Sequence, residues 1–503
     1  MCARKTPGSF IVEKSAFSDS MKEVASAVPA FIGHTQKADN NGAPLSGKPW
    51  RITSLAEFER HFGAAPEPGF DLSTATSADS GELLTVAGKN YYPTQATAPY
   101  LLYYSLQLFY RNGGDACYIV SVGNYTEPLE SARFKQGIEL LTKEREPTIV
   151  VVPEAANLKA EDCIDVQQAA LRHCGLTMKN RVAILDVPGG YKSRHGPAGD
   201  PVQVFRDKLG SECLGYGAAY YPWLDTTITG ASALSYENVA PRSRPLLVSL
   251  LEEESGIADA DAAKLTQRQQ EQKSEIANIV KDRTADGAAK SRLHQSLLVM
   301  SPAYNRLLAC MAAKLNRLPP SAAMAGVYTR ADVWTAPANV SLDAVISPAV
   351  SISHGEQEDL NVPLDGKSIN AIRSFAGKGV LPWGARTLDG NNPDWRYIAV
   401  RRTAIMIEES IRRAFDAHGS APNDGSTWFA VRDAIRDFLN GLWRRGGLGG
   451  STPNEAYAVL VGLGETMTGM DMLDGLMRVT VRVALVRPAE FIEIGFTQQM
   501  QKC

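Results

Sequence analysis

The sequence has little of what marks a secreted, membrane-spanning or metal-binding chain. Its 503 residues include 7 cysteines and no Cys-x-x-Cys pair, which favours free thiols over a disulfide framework or a zinc site. The longest apolar run, residues 100–110, is interrupted by Ser105 and Gln107 and is too short to span a bilayer. The opening stretch MCARKTPGSF lacks the apolar region of a secretory signal, so we expect synthesis in a cytosol.

An excess of one charge is missing as well. Lysine and arginine together number 52 against 55 for aspartate and glutamate, and the formal net charge is −3. Such a balance leaves no global electrostatic footprint for nucleic acid. A hydrophobic content of 44% with 21% charged residues is typical of a folded globular chain. We expect about two to four domains, no nucleic-acid partner and no direct insertion into a membrane.

Catalytic and phosphate-binding motifs are also absent from the sequence. It contains no G-x-x-x-x-G-K-[ST], no G-x-G-x-x-G turn after a predicted strand, no H-E-x-x-H and no G-x-S-x-G. His173 has no second ligand at metal-binding spacing, and His195 lies in a polar loop. We therefore predict no catalytic residue, no metal and no cofactor.

The front half of the chain predicts a parallel sheet covered on both faces. Apolar segments that are typical of buried strands alternate there with helical patterns, and short links between them imply right-handed crossovers. The predicted strands are 148–152 (TIVVV), 181–187 (RVAILDV) and 216–224 (YGAAYYPWL), and the predicted helices are 161–174 and 200–210. Ahead of them, residues 97–122 predict a buried helix followed by a strand.

Asp186 is the residue of this unit that suggests an enzyme. It ends an apolar strand, where doubly wound enzymes often place a metal or ribose ligand. Because no phosphate-binding loop accompanies it, a role in a turn or a helix cap is favoured. A doubly wound α/β enzyme with an accessory domain is kept as the alternative function from another class.

Two segments carry no chemistry that the sequence can name. Residues 63–96 are rich in Gly, Pro, Ser, Thr and Ala and predict a loop. Residues 225–318 predict a surface insertion with one long, mostly exposed helix around 265–280. A further helical stretch at 293–315 is expected to break at Pro302.

The segment 366–443 predicts two amphipathic helices. Their apolar stripes are formed by Ile407, Ile411, Ala414 and Phe415 in the first helix and by Trp428, Val431, Ile435, Phe438 and Leu442 in the second. Ser426 or Thr427 can cap the second helix. Two helices with opposed apolar stripes must cover something, and we expect a sheet.

Extended segments lie near both ends of the chain. Residues 478–487 (RVTVRVALVR) alternate between apolar and polar side chains, as a half-buried strand does, and 491–496 (FIEIGF) predict a second strand. Residues 10–13 (FIVE) are a short apolar segment near the N-terminus. An unpaired strand edge is a template for another chain. Pairing within one subunit and pairing between subunits are both compatible with these patterns.

Several short sequence motifs, in the same order along the chain, resemble the contractile tail sheath family, whose members form the outer tubes of contractile phage tails, tailocins and related bacterial injection systems. The strongest motifs are Gly384-Ala385-Arg386-Thr387-Leu388, Trp395-Arg396-Tyr397-Ile398, Val400-Arg401-Arg402-Thr403 and Trp428. Weaker ones lie at 26–33, 110–118, 319–340 and 488–492. The resemblance covers about 10–225 and 319–500, and is greatest to the sheaths of bacterial injection systems. The loop 416–421 (DAHGSA) departs from the family pattern.

The resemblance implies a multi-domain α/β and α+β fold. An α/β domain with a central mixed sheet is expected at 26–340, with the surface insertion 225–318, followed by an α+β sheath core at 341–487. Linking arms are expected at 1–25 and 488–503, and their strands would join neighbouring subunits. The residues of these linking strands are Phe10, Ile11, Val12, Glu13, Phe491, Ile492, Glu493, Ile494 and Phe496.

The resemblance also implies a mechanical function and its partners. Subunits would stack as hexameric rings into a helical homopolymer around an inner tube protein, with baseplate and terminator or cap proteins at the ends. Assembly is expected in a bacterial cytoplasm, in an extended metastable state whose contraction drives the tube through a membrane. Candidate contacts to the inner tube are Arg401, Arg402, Arg412, Arg413, Arg444 and Arg445. Solvated helix faces are the alternative for each basic pair, and a sheath of a true phage tail is the nearest alternative function.

Overall fold

The structure is a computed structural model, which describes residues 21–74, 84–96, 100–197, 199–258, 265–281, 286–416 and 422–490. The chain divides into two units. The larger unit comprises Ala27–Ala331 and Pro337–Arg396, and the smaller one comprises Met1–Ser26, Asp332–Ala336 and Tyr397–Cys503.

The strands and helices of the described residues are numbered in chain order. The strands are β1 (Pro29–Thr35), β2 (Asp39–Asn40), β3 (Ala43–Pro44), β4 (Trp50–Ile52), β5 (Phe70–Thr74), β6 (Leu84–Val86), β7 (Lys89–Gln95), β8 (Cys117–Asn124), β9 (Ile149–Val151), β10 (Val182–Asp186), β11 (Gly217–Tyr221), β12 (Leu224–Thr226), β13 (Arg317–Leu318), β14 (Val345–Pro348), β15 (Asn370–Phe375), β16 (Gly379–Pro382), β17 (Tyr457–Leu460) and β18 (Thr480–Val483). The α-helices are α1 (Leu55–Phe62), α2 (Leu102–Arg111), α3 (Ser131–Leu140), α4 (Ala160–Arg172), α5 (Pro201–Leu209), α6 (Arg244–Glu254), α7 (Gln267–Lys281), α8 (Gly287–Met300), α9 (Pro302–Leu315), α10 (Ser321–Arg330), α11 (His354–Asn361), α12 (Ile398–Asp416), α13 (Gly425–Arg444), α14 (Pro453–Ala456) and α15 (Gly469–Leu473).

The main sheet of the larger unit is mixed, as the sequence predicts. Its strand order is β16-β15-β11-β10-β9-β1-β8-β4. The six inner strands are parallel, and the edge strands β4 and β16 are antiparallel to their neighbours. The three strands predicted from apolar runs are β9, β10 and β11, and every residue of them is buried. Burial on both faces explains why their sequences are continuously apolar rather than alternating.

Helices cover both faces of this sheet. Apolar residues of α3, α4 and α5, such as Phe134, Val166 and Phe205, form one buried cluster with alternate residues of β1, β8, β9 and β10. The intervening residues of the strands point the other way. On that side Phe31 of β1 packs edge-on against Phe109 of α2, with 5.1 Å between the ring centres.

The hairpin β15–β16 extends the same sheet from far along the chain. Tyr220 and Tyr221 of β11 pair with Asn370 and Ala371 of β15, and the Asn370 amide also donates to the Ala219 carbonyl. Residues 337–396 consequently belong to the larger unit, whereas the sequence predicted a C-terminal domain that begins at 341. The predicted boundary differs from the structure because the hydrogen bonds that join a hairpin to a distant strand leave no trace in the local pattern.

The predicted loop 63–96 is wrong where the structure describes it. Residues there form a three-stranded antiparallel sheet in the order β5-β7-β6. Phe70, Leu72, Leu84, Val86 and Tyr91 from these strands share one buried cluster with α6 to α9. Each apolar alternation is only two or three residues long, which is too short to outweigh the surrounding turn residues.

The segment 225–318 contains the helices that its pattern predicts. The long helix is α7, and the break at Pro302 separates α8 from α9. This segment is more than a surface elaboration, because Leu247, Leu251, Leu307 and Met311 are fully buried. Together with β5 to β7 it forms a second hydrophobic core in the larger unit.

Gly326 of α10 offers a test of how tightly α10 packs on α2. A Cβ at this position would lie 2.6 Å from the carbonyl oxygen of Phe109. Because that oxygen belongs to the helix backbone, we expect Gly326→Ala to lower the free energy of unfolding by about 2 kcal/mol in chemical denaturation. Gly287→Ala is the matched control, since nothing lies within 4 Å of its added Cβ. Equal stability of wild type and Gly326→Ala would show that α10 and α2 are not packed as described.

Candidate assembly surface of the smaller unit

The two predicted amphipathic helices are α12 and α13, and they form the core of the smaller unit. Val431, Ile435 and Leu442 of α13 are buried against Met406 and Ile407 of α12 in one apolar cluster. The N-cap of α13 is Asp424, whose carboxylate accepts from the Thr427 backbone N–H at 2.9 Å. The predicted caps at Ser426 and Thr427 are therefore wrong by two or three positions, although all three residue types suit an N-cap.

The predicted sheet over these helices is a two-stranded one. β17 and β18 pair antiparallel, with Tyr457 opposite Val483 and Leu460 opposite Thr480. Val459 is buried in the helix cluster, and Val481 and Val483 pack against that cluster from β18. A two-stranded sheet is only marginally stable alone, so the packing on α13 holds it in place.

The outer edge of β18 carries no neighbouring strand among the residues that the structure describes. Ala484 directs both its N–H and its carbonyl towards the β17 side, bonding to Ala456 and Gly449. Since successive residues of a strand alternate in direction, Thr480 and Arg482 face the same way. The backbone groups of Val481 and Val483 therefore face the outer edge, where another strand can pair.

The connection between β17 and β18 exposes a cluster of large apolar side chains, which we call the apolar hairpin (residues 461–478). Its exposed members are Leu463, Met470, Leu473 and Leu476, and Leu473 is 82% exposed. The Asp471 carboxylate, which pairs with Arg478 at 3.0 Å, holds the hairpin closed. Four exposed large apolar side chains within 14 positions make the apolar hairpin a candidate contact surface.

The six candidate arginines do not share one environment. Arg401 and Arg402 are 9% and 4% exposed, and Arg402 donates to the Ser26 carbonyl at 3.1 Å. These two side chains are buried in this conformation, and their contact with an inner tube stays a prediction. Arg412 and Arg413 both pair with Glu409, at i,i+3 and i,i+4 spacing along α12.

Arg444 and Arg445 lie at the end of α13 and are exposed. The Arg445 guanidinium pairs with Glu23 and lies 5.2 Å from the centre of the Trp334 ring. Exposed ion pairs of this kind contribute little to folding, so these side chains are free to exchange partners. The predicted linking strands at Phe10 to Glu13 and at Phe491 to Phe496 lie outside the described residues.

Asp186, the residue that suggests an enzyme, is buried at the end of β10. Its carboxylate accepts from the backbone N–H of Ser321 at 2.8 Å and from the Ser321 hydroxyl. The first of these bonds satisfies a backbone N–H in the first turn of α10, which is the cap role that the sequence favours. Among the described residues no group of His, Cys, Asp or Glu is arranged to hold a metal ion. No helix of the described part is long and apolar enough to cross a membrane.

The smaller unit corresponds to a known domain family. The family described as phage tail sheath C-terminal domain matches residues 390–498, which include α12, α13, β17 and β18. This part of the chain matches the model of that domain family, and the predicted resemblance to tail sheaths is confirmed. By sequence, no curated protein matches the chain.

Similarity to particular solved structures extends over nearly the whole chain. A chain of the anti-feeding prophage (AFP) baseplate is 24% identical with a TM-score of 0.59, over 99% of this chain and 100% of that one. The sheath complex of PVC, an extracellular contractile injection system, in its contracted state gives 24% identity and a TM-score of 0.58 over 99% of both chains. The AFP helical sheath in its contracted state is 24% identical with a TM-score of 0.59, and the match covers 99% of this chain and 100% of that one. The chain thus has the fold of these proteins.

Sequence reasoning missed the apolar hairpin. Its signal was present in Leu463, Met470, Leu473 and Leu476, which alternate with Gly, Asp and Thr and fit neither a helix period nor a strand period. Apolar residues without a period and within turn-forming sequence are candidates for a contact surface.

The pKa of Asp186 provides a test of the cap role. Burial raises this pKa to about 7, although the hydrogen bonds from Ser321 oppose the rise. Since the folded value lies above the ordinary one, stability is fully present below about pH 4 and is lost as the pH rises to about 7. We expect wild type to lose stability relative to Asp186→Asn across this window, by on the order of 4 kcal/mol. The exposed Asp162→Asn is the control, and a pH-independent difference for Asp186→Asn would contradict the assignment.

Proposed function

We propose that the chain is the structural subunit of a contractile sheath in a phage-tail-like injection system. The observation that carries the proposal is the outer edge of β18, which has no partner strand among the described residues, in a part of the chain that matches the phage tail sheath C-terminal domain model. The fold that the chain shares with AFP and PVC sheath structures supports the same function for the larger unit. Subunits would form hexameric rings that stack into a helical homopolymer.

Strand addition supplies the link between subunits. A further strand on β18 would bond to the outward backbone groups of Val481 and Val483 and convert the two-stranded sheet into a larger one. The proposed linking arms are residues 1–25 and 488–503, and the segments at 10–13 and 491–496 have the extended apolar pattern that such a strand requires. Main-chain bonds of this kind tolerate large rotations of the units that they connect.

Contraction then needs no nucleotide. The energy is the difference between two packings of the same subunit, which assembly stores and a baseplate signal releases. A contracted packing that buries more apolar surface gains about 25 cal/mol for each Å². Many identical subunits add their contributions along the sheath. This account uses no catalytic residue, so the doubly wound enzyme is the weaker alternative.

An inner tube protein is the proposed partner of the smaller unit. Two surfaces can hold it: the apolar hairpin and the exposed arginines Arg412, Arg413, Arg444 and Arg445. The hairpin is favoured because a solvated leucine that is 82% exposed gains free energy when a partner covers it, whereas an exposed charge gives up hydration. The arginines would then hold register through charge complementarity.

The particle to which the sheath belongs is proposed from its relatives. One structural neighbour is named as part of an extracellular contractile injection system, and two come from the anti-feeding prophage. We therefore favour a bacterial injection system over a true phage tail. Subunits would be made and assembled in the bacterial cytoplasm, with baseplate and cap proteins at the two ends.

Val481 gives a direct test of strand addition. Val481→Pro removes an N–H on the outer edge of β18 and leaves the bonds to β17 in place. We expect the purified wild type to form hollow tubes in negative-stain electron microscopy and Val481→Pro to stay as small folded particles. Val481→Ala, which keeps the N–H, is the matched control and should form tubes. Normal tubes from a folded Val481→Pro would count against strand addition at this edge.

Leu473 gives a test of the inner-tube surface. Leu473→Asp changes a side chain that is 82% exposed, so folding and homopolymer formation should persist. Each lost apolar contact is worth about 1.5–3 kcal/mol, so we expect at least about tenfold less tube protein in co-expressed, sedimented particles. Val299→Asp is the control, since Val299 is 87% exposed in the larger unit. If Leu473→Asp particles kept all of their tube protein while Arg444→Glu and Arg445→Glu particles lost it, the contact would be assigned to the arginines instead.

A further inference from the structure

The start of β10 and the end of α4 meet at a buried corner that contains a histidine beside an arginine. His173 is 5% exposed and Arg181 is fully buried. The Nη1 atom of Arg181 lies 3.4 Å from Nε2 of His173. The same guanidinium donates to the carbonyls of Leu141 and Glu144 and to the side-chain oxygen of Asn180.

This geometry fixes the protonation state of His173. A guanidinium has only donors, so Nε2 of His173 must accept and must carry no proton. Among the described residues no carboxylate pairs with Arg181, whose partners there are neutral oxygens and the imidazole. A proton on Nε2 would therefore remove a hydrogen bond and place a second cation beside an unpaired buried one.

The other ionisable groups around the corner do not relieve this conflict. Arg172 ends α4, and Cys174 follows it in the next turn. Glu212 and Cys213 lie before β11, and Glu144 lies after α3. Burial raises the pKa of both thiols, to about 12 for Cys174, so they carry no charge near neutrality. Glu212 is paired with Arg172 on the surface at 3.4 Å. The charge of Glu144 favours the protonated form of Arg181, but the hydrogen bond between the two residues runs from the guanidinium to the Glu144 backbone carbonyl.

The backbone at the corner departs from regular α-helix. Residues His173–Met178 continue α4 as a wider π-helical turn that ends in a left-handed Lys179. Such turns are less regular than the helix that precedes them and depend on side-chain packing for their stability. Cys174 and Gly175 in this turn are buried against the residues before β11, and a Cβ on Gly175 would lie 2.7 Å from the Cys213 sulfur.

We propose that His173 and Arg181 form an acid-sensitive latch, in which protonation of His173 loosens the π-helical turn and the start of β10 while the rest of the sheet stays folded. All groups of the latch belong to the larger unit, whereas β18 belongs to the smaller one. The latch makes this corner the first part of that sheet to loosen in an acidic medium. The inference does not depend on the proposed function.

The direction of the effect follows from the histidine pKa. Burial, and secondly the Arg181 charge, lower this pKa to about 4 from an ordinary 6.5. Because the folded value is depressed, the stabilising contribution is complete above pH 6.5 and is lost as the pH falls towards 4. At pH 5 the opening equilibrium should be about thirtyfold more favourable than at pH 7.5.

Hydrogen exchange measured by mass spectrometry on the full-length chain tests the latch. Rates corrected for intrinsic exchange should rise about thirtyfold from pH 7.5 to pH 5 in peptides that cover 172–182, and much less in peptides from β8 and β11. His173→Gln keeps an acceptor for Arg181 and cannot gain the proton, so its corrected rates should not change with pH. His354→Gln, at a histidine whose side chain is 85% exposed, is the matched control and should behave as wild type.

Two results would overturn the proposal. The first is a corrected exchange rate in 172–182 of wild type that is the same at both pH values. The second is an equal rise in wild type and His173→Gln, which would assign the acid response to other groups. The wild-type comparison needs no variant, so a folding defect in His173→Gln would leave the test decisive.

Discussion

The outer edge of β18, which is unpaired within the part of the chain that the structure describes, is the constraint on which the proposed function depends. A two-stranded sheet has few internal hydrogen bonds, and here one face rests on the apolar stripe of α13 while one edge stays open. Packing alone fixes the position of such a sheet, but its outward N–H and carbonyl groups still require partners. In a monomer water would satisfy them. In the proposed polymer a strand from a neighbour would satisfy them and would link the subunits through backbone bonds that do not depend on side-chain identity.

The larger unit shows why a doubly wound sheet does not by itself imply an enzyme. Enzymes of this architecture place ligands at the carboxyl ends of the strands, where backbone and side-chain groups remain available. Here those groups are used internally. Asp186 bonds to the first turn of α10, and the buried carboxylate of Glu154 accepts from the N–H groups of Leu101 and Leu102 at the start of α2 and from His34. Each carboxylate completes a helix N-terminus, so neither is left to hold a ligand.

The sequence predicted the elements whose pattern lies within one short segment, and it missed those that depend on contacts between distant segments. Continuous apolar runs predicted β9, β10 and β11, and helical periods predicted α7, α12 and α13, because those signals lie within one element. The pairing of β15 with β11 joins residues about 150 positions apart and is not visible in any local pattern. The strands β5 to β7 are short and lie among turn residues, so propensity alone favoured a loop.

In the candidate assembly surface, too, local patterns predicted some features and packing decided others. The alternation in 478–487 predicted a half-buried strand, but the burial of Arg401 and Arg402 depends on packing around α12 that the helical period does not encode. The Glu409–Arg413 pair has the i,i+4 spacing of a helix, whereas the pairing of Arg412 with the same Glu409 carboxylate is decided by side-chain rotamers. The apolar hairpin went unnoticed because its exposed apolar residues follow neither a helix period nor a strand period.

The most direct test is a cryo-electron microscopy reconstruction of the polymer formed by the full-length protein, at a resolution that traces the backbone. The account predicts a further strand on the outer edge of β18, hydrogen-bonded to Val481 and Val483, whose connectivity leads to another subunit. A polymer in which that edge is paired by the same subunit's own chain, or remains unpaired while side chains alone join the subunits, would contradict it.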